Sequence, residues 1–271
     1  MEEGKFGEIR KAIKLNRHLV SDGGFIRNRE NNWGIYDSDI DDFAKVFAGS
    51  LPLYIDRPVA ENNYQSKGEA FRSYVEGTLL ESGPREFCAV ELGGPGSRLF
   101  QGFSPKFFKR TAGVCLTDTR DEFIKAEDRE SNHNIVTGNI FDTGGKLTEK
   151  VKKMLRSEQI DLIISKMEGP LRYIDLNDAI MDRVIRDWYS VLREGGLIFI
   201  QFAYGDDHPQ RRPVEETTES VTKWAEKVME KFPEIDIQTD TIMQGSHSTF
   251  RLHKRKGSPV ELPKAADFFA Q

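Results

Sequence analysis

The residues of this chain best suited to chemistry stand where apolar runs end. Phe87-Cys88-Ala89-Val90-Glu91-Leu92-Gly93-Gly94-Pro95-Gly96-Ser97 closes an apolar run on an acidic residue and continues into a glycine-rich turn. Glycine in such a turn lets a ligand come close to the backbone, where a side chain would block it; a plain tight turn fits the same residues. A second run, Gly113–Thr117, leads into Asp118. A carboxylate at a strand end can accept hydrogen bonds from both hydroxyls of a ribose. Asp118 and Asp121 also suit the N-cap and first turn of a following helix, and the roles are compatible. After Ile160–Ser165, the polar groups Ser165 and Glu168 are placed to meet a substrate, though such loops are often polar for solvation alone. His208, in Tyr204-Gly205-Asp206-Asp207-His208-Pro209, has the chemistry of a general base, with an unperturbed pKa of about 6.5. A solvated loop histidine fits that position equally.

These groups need a scaffold that presents strand ends along one edge. From Glu86 onward, short Val/Ile/Leu/Phe-rich runs alternate with helical patterns, the mark of βαβ units around a mostly parallel sheet. Strands are expected at Glu86–Leu92, Gly113–Thr117, Asn134–Phe141, Ile160–Ser165 and Gly196–Phe202. Each is a short apolar run bounded by turn or charged residues, as burial on two faces demands. A helix over Asp175–Arg193 is expected to end at Glu194-Gly195-Gly196, with glycine as a left-handed C-cap. After a helix over Val214–Lys231, Ile235–Ile242 and Ser248–His253 are separated only by a short turn containing Gly245, which implies an antiparallel hairpin.

Residues 1–83 do not alternate in this way. They carry helical patterns at Phe6–Leu19, Asp39–Phe47 and Gly68–Leu80, and are expected to form a helical cap or lid ahead of a core at 84–256; residues 257–271 are expected to be a loosely docked tail. With 271 residues the chain can bury a sizeable core, given about 150 residues per domain. Apolar runs fall short of a membrane helix, and the charged start Met1-Glu2-Glu3-Gly4-Lys5 lacks the design of a secretory signal, so a cytoplasmic protein is expected. Cys88 and Cys115 lie in apolar runs and read as small buried hydrophobes; neither they nor the histidines show metal-ligand spacing. The 44 acidic against 39 basic residues oppose a polyanion at long range, so nucleic acid is not favoured as a partner. The compact basic run Arg251-Leu252-His253-Lys254-Arg255-Lys256 reads as a solvated strand end.

Taken in order, the motifs resemble the class I, Rossmann-like methyltransferases that use S-adenosylmethionine. The first motif of that family is an apolar strand followed by Asp/Glu-x-Gly-x-Gly-x-Gly. Glu91 and Gly93 match in place, Pro95 and Ser97 stand where glycine is usual, and Gly94 and Gly96 supply glycine one position out of register. Gly138-Asn139-Ile140 resembles the Gly-Asp-hydrophobic segment that frames the adenine, and Leu192-Arg193-Glu194-Gly195-Gly196 resembles Leu-x-Pro-Gly-Gly before the fifth strand. The resemblance covers roughly residues 84–256 and implies a seven-stranded sheet closed by an antiparallel hairpin. It implies cofactor contacts at Glu91, Gly93, Gly94 and Gly96 for the amino-acid end, Asp118 and Thr119 for the ribose, Asn139 and Ile140 for the adenine, and Ser165 near the transferred methyl. Catalytic roles fall to Ser165, Glu168 and His208, and Tyr64 becomes an aromatic of the lid. The fourth-strand segment Ser165-Lys166-Met167-Glu168 is not the Asn-Pro-Pro-Tyr of amino-group methyltransferases acting on bases and glutamine. The acceptor is expected to be a small molecule.

Two other readings compete. Gly94-x-Gly96-x-x-Leu99 with a downstream acid partly mimics the fingerprint of an NAD-dependent oxidoreductase, but its third glycine is missing. A non-catalytic methyltransferase-like scaffold is the other; Glu91, Asp118 and Asn139 together argue against such decay.

Overall fold

A computed structural model describes residues 39–46, 66–115, 118, 122–138, 145–165, 178–203, 214–242 and 247–264. Seven strands form one sheet: β1 (Phe87–Leu92), β2 (Phe108–Cys115), β3 (His133–Thr137), β4 (Ile160–Ser165), β5 (Leu192–Ala203), β6 (Ile235–Ile242) and β7 (His247–Lys254). Their order is β3-β2-β1-β4-β5-β7-β6. The first five are mutually parallel, and β7 runs antiparallel between β5 and β6. This is the Rossmann-like sheet with a closing hairpin expected from the motif order. Its strand order reverses between β1 and β4, and ligands of open α/β sheets bind outside the carboxyl ends at such a point.

The helices are α1 (Ile40–Val46), α2 (Lys67–Glu81), α3 (Ser97–Gln101), α4 (Glu122–Glu130), α5 (Lys146–Leu155), α6 (Asp178–Val191) and α7 (Val214–Lys231). Every residue of β1 is buried, and its side chains alternate between two apolar layers. Cys88, Val90 and Leu92 join Leu147, Val151 and Leu155 of α5 with residues of α6 and α7. Phe87 and Ala89 join the opposite layer, with Phe43 of α1, Phe71, Val75 and Leu79 of α2, and Leu99 of α3. Period-2 alternation on a strand covered on both faces explains why β1 is apolar without a break.

Helix α2 starts at Ser66, whose hydroxyl accepts from the Glu69 N–H at 3.1 Å, satisfying a donor that the helix itself leaves over. Its face is built into the sheet layer: the Phe71 ring meets Phe199 of β5 at 5.0 Å between centroids. The boundary expected at residues 83 and 84 is thus crossed by packed apolar contacts. The carboxyl segment is docked as well, since Leu262 is buried in the other layer, the Tyr189 hydroxyl donates to the Pro259 carbonyl at 2.7 Å, and Arg186 Nε donates to the Leu262 carbonyl at 2.8 Å. The loosely docked tail expected from residue 257 is therefore corrected for residues 257–264.

Two further expectations change. Gly195 does adopt the left-handed conformation, at φ +84°, but inside β5 rather than as the cap of α6, which ends at Val191. There the register with β4 jumps, Ile160 facing Leu192 and Leu162 facing Leu197. The irregularity turns Arg193 toward the wholly buried Asp161, its Nε lying 3.0 Å from Oδ1, while Arg85 Nη2 approaches the same oxygen at 3.1 Å. The Cys88 N–H donates to Asp161 Oδ2 at 2.8 Å, so one carboxylate ties together β1, β4 and β5. Burial still holds its pKa above the usual carboxylate value, against the pull of that N–H and the two guanidinium groups.

The basic run at 251–256 is only partly a solvated strand end. Arg251 and Lys254 are buried: Arg251 Nη2 pairs with Asp236 at 2.7 Å, and Lys254 Nζ donates to the carbonyls of Tyr189, Leu192 and Val260. Cys88 and Cys115 are buried, as their apolar surroundings imply, and among the described residues no His/Cys/Asp/Glu group could hold a metal ion. No helix of the described residues is long and apolar enough to cross a membrane.

Candidate functional site

The site is assembled at the carboxyl ends of β1, β2 and β4. The turn after β1 carries two left-handed glycines, Gly93 at φ +87° and Gly96 at φ +74°, conformations that favour residues without a Cβ. Beneath the turn lies the Glu91 carboxylate, wholly buried. A Cβ on Gly94 would stand 2.5 Å from Glu91 Oε1 and 3.0 Å from Oε2, and one on Gly96 would stand 3.1 Å from Oε2. Glycine at 94 and 96 is therefore the counterpart of an acid folded under the turn, and Glu91 shapes the loop from below.

A set of polar contacts holds the turn in place. The Gly93 N–H donates to the Val114 carbonyl at 2.8 Å. His133, at the start of β3, lies 2.6 Å through Nε2 from the Pro95 carbonyl and 2.7 Å through Nδ1 from Thr111 Oγ1. A carbonyl can only accept, so Nε2 carries the proton toward Pro95, and a neutral ring takes the Thr111 hydroxyl at Nδ1. The Ser97 hydroxyl donates to Asp128 Oδ2 of α4 at 2.7 Å. The turn also rests directly on β2, since a Cβ on Gly113 would collide with the Pro95 carbonyl. Pro95 and Ser97, the two departures from the glycine motif, thus each have a partner in this framework.

Of the other residues singled out from sequence, Ser165 ends β4 opposite Leu92 in register, is buried, and donates its hydroxyl to the Leu92 carbonyl at 3.1 Å. That bond spans β1 and β4 at the reversal of strand order. Asp118 is exposed beyond β2, and α4 is described from Glu122 onward. Tyr64, Thr119, Asn139, Ile140, Glu168 and His208 lie outside the described residues.

His133, Gly113 and Asp128 are the parts of the site that sequence reasoning missed. The available signal was the pairing of Thr111 with His133 across β2 and β3, which sets two polar side chains opposite each other.

These features define the class as a Rossmann-like α/β protein with a glycine turn at the carboxyl edge of its sheet. No family model matches the chain, and no curated protein matches it. Among solved structures, the chain is similar to the N-methyltransferase NodS from Bradyrhizobium japonicum WM9, with 12% identity, 69% of this chain and 95% of that chain covered, and a TM-score of 0.41. It is similar to an S-adenosylmethionine-dependent methyltransferase from Clostridium acetobutylicum ATCC 824, with 12% identity, 77% and 98% covered, and a TM-score of 0.41. A fibrillarin/Nop5p complex matches at 15% identity, 65% and 79% covered, and a TM-score of 0.42.

Proposed function

We infer that the chain is a cytoplasmic S-adenosylmethionine-dependent methyltransferase acting on a small molecule. The observation that carries this reading is the buried Glu91 carboxylate under Gly94 and Gly96, at the carboxyl end of β1 and beside the reversal of strand order. The residues fit such a cofactor: the turn offers backbone without side chains, and Asp118 offers an exposed acceptor for ribose hydroxyls beyond the neighbouring strand. Gly93, Gly94 and Gly96 would hold the amino-acid end, Asp118 and Thr119 the ribose, and Asn139 and Ile140 the adenine. Ser165, Glu168 and His208 face the acceptor in this reading, and Tyr64 belongs to a lid formed by the amino-terminal segment.

The cofactor, when bound, supplies a methyl group already activated by its sulfonium. The chain's own part is alignment and exclusion of water, because an in-line displacement at such a carbon needs orientation more than acid-base help. Ser165 serves this by fixing the ends of β1 and β4 relative to each other. Glu91 serves it by setting the path of the turn.

Calorimetry with S-adenosylhomocysteine and with NAD tests the reading. The former is expected to bind and the latter not, and Asp118→Ala is expected to weaken binding by about 1.5–3 kcal/mol, the range for losing hydrogen bonds that involve a charged partner. Binding of NAD alone would assign the site to the oxidoreductase reading, and binding of neither would point to a scaffold.

A further inference from the structure

A second feature runs along the side of the sheet, at β3, and stands independently of the cofactor reading. Among the described residues β3 is the edge of the sheet, paired only with β2. The Asn132 carbonyl accepts from the Thr111 N–H, and the Gly138 N–H donates to the Cys115 carbonyl. Even-numbered residues therefore turn their backbone groups toward β2, and His133, Ile135 and Thr137 turn theirs outward, since neighbouring residues of a strand alternate in this respect.

A groove of about 710 Å³ follows this edge, and five cations line it: Arg110, Arg129, Lys150, Lys153 and Arg156. No carboxylate is among its described lining residues, and within the described residues none of the five forms an ion pair. The cations come from both faces of the sheet. α5, which carries Lys150 and Lys153, packs in the layer of Val90 and Leu92. α4, which carries Arg129, is bonded through Asp128 to Ser97 of α3, on the opposite layer. Between these walls the edge presents apolar surface, with Ile135 half-buried and Met154 40% exposed.

We propose that the β3 edge is a docking groove for an acidic peptide segment, which adds to the sheet as an eighth strand. The outward N–H and C=O groups of His133, Ile135 and Thr137 supply a ladder, and alternate side chains of the added strand reach the cations of the two walls. Apolar residues between the acids cover Ile135 and Met154. Single-stranded nucleic acid is the weaker fit. No Phe, Tyr or Trp is among the described lining residues to stack a base, and a phosphodiester chain has no backbone to pair with the ladder. In a protein of net charge −5, a groove whose described lining residues hold five cations and no carboxylate attracts anionic side chains locally.

The test is fluorescence anisotropy of the full chain with three labelled probes: a short peptide of alternating glutamate and valine, the same peptide N-methylated at alternate residues, and a single-stranded oligonucleotide. The unmodified peptide is expected to bind, with affinity falling as salt rises and falling about tenfold or more in the double variant Lys150→Glu/Lys153→Glu. Both lysines are exposed, and thermal melting checks that the variant stays folded. N-methylation leaves the charge in place and removes the ladder, so the methylated peptide is expected to bind at least about tenfold more weakly. Equal binding of the two peptides, tighter binding of the oligonucleotide, or no binding of the unmodified peptide would each overturn the proposal.

Discussion

The imidazole of His133 lies 2.6 Å from the carbonyl of Pro95, so a residue at the start of β3 supports the middle of the turn that follows β1. Replacing it with alanine leaves that buried carbonyl and the Thr111 hydroxyl without their partner. His133→Ala is expected to cost about 1–3 kcal/mol of stability and to loosen cofactor binding at a site it does not line. Urea unfolding, together with calorimetry on the folded variant, reads both effects. An unchanged unfolding midpoint would show that water replaces the ring.

Gly94→Ala should weaken cofactor binding and cost about 1–3 kcal/mol of stability, because its new carbon meets the Glu91 carboxylate at 2.5 Å in a buried place. Gly77→Ala in α2 is the control. Nothing stands within 4 Å of its added carbon, and alanine in a helix should stabilise by about 0.5–1 kcal/mol. If the two variants melt alike, Glu91 swings aside and the turn does not require glycine at 94.

The third expectation concerns α2. Phe71 is fully buried, with its ring against Phe43, Phe103 and Phe199. Phe71→Ala is expected to destabilise the whole protein by about 3–5 kcal/mol in one cooperative transition. A variant that loses only a separate early transition would make the amino-terminal helices an independent unit.

Acid sensitivity should have an identifiable source in His253. Burial, with Arg251 and Arg255 nearby, pulls its pKa from 6.5 down to about 4. Its contribution is present above the unfolded value and is lost as pH falls from about 6.5 to about 4, where the unfolded chain binds a proton that the folded chain refuses. The full shift corresponds to something on the order of 3 kcal/mol. Denaturation of His253→Gln between those limits should show a fall in stability smaller by about 2 kcal/mol than the parent's. Parallel curves would remove His253 as the source.

The elements with strong periodicity were legible in the sequence. α7 over Val214–Lys231 and β6 over Ile235–Ile242 occur at the bounds that their patterns predict. β2 is longer than its apolar run because Arg110 and Thr111 pair with Cys88 and Ala89 of β1, and Lys109 stands at the shift of register before them, all three breaking the hydrophobic signal. In β5, Leu192-Arg193-Glu194 reads as the end of a helix, and its partners there, Ile160 opposite Leu192 and Asp161 beside Arg193, are distant in sequence. The same limit hid the burial of Arg251 and Lys254, since a run of charges carries no mark of the acceptors waiting for it. The glycine turn was visible as a motif. What holds it, His133 on β3 and Asp128 on α4, belongs to other elements and became visible only when the strands were placed side by side.

The tie of Asp161 to Arg85, Arg193 and the Cys88 N–H has a consequence for how such a chain can change. It clamps β1, β4 and β5 near the amino-terminal ends of β1 and β4, on the side away from the glycine turn. Cohesion and chemistry are thereby kept at opposite poles of the sheet. The loops around the turn can be rewritten to accept a different partner while the clamp continues to hold the scaffold, and substitutions at the clamp should be tolerated far less.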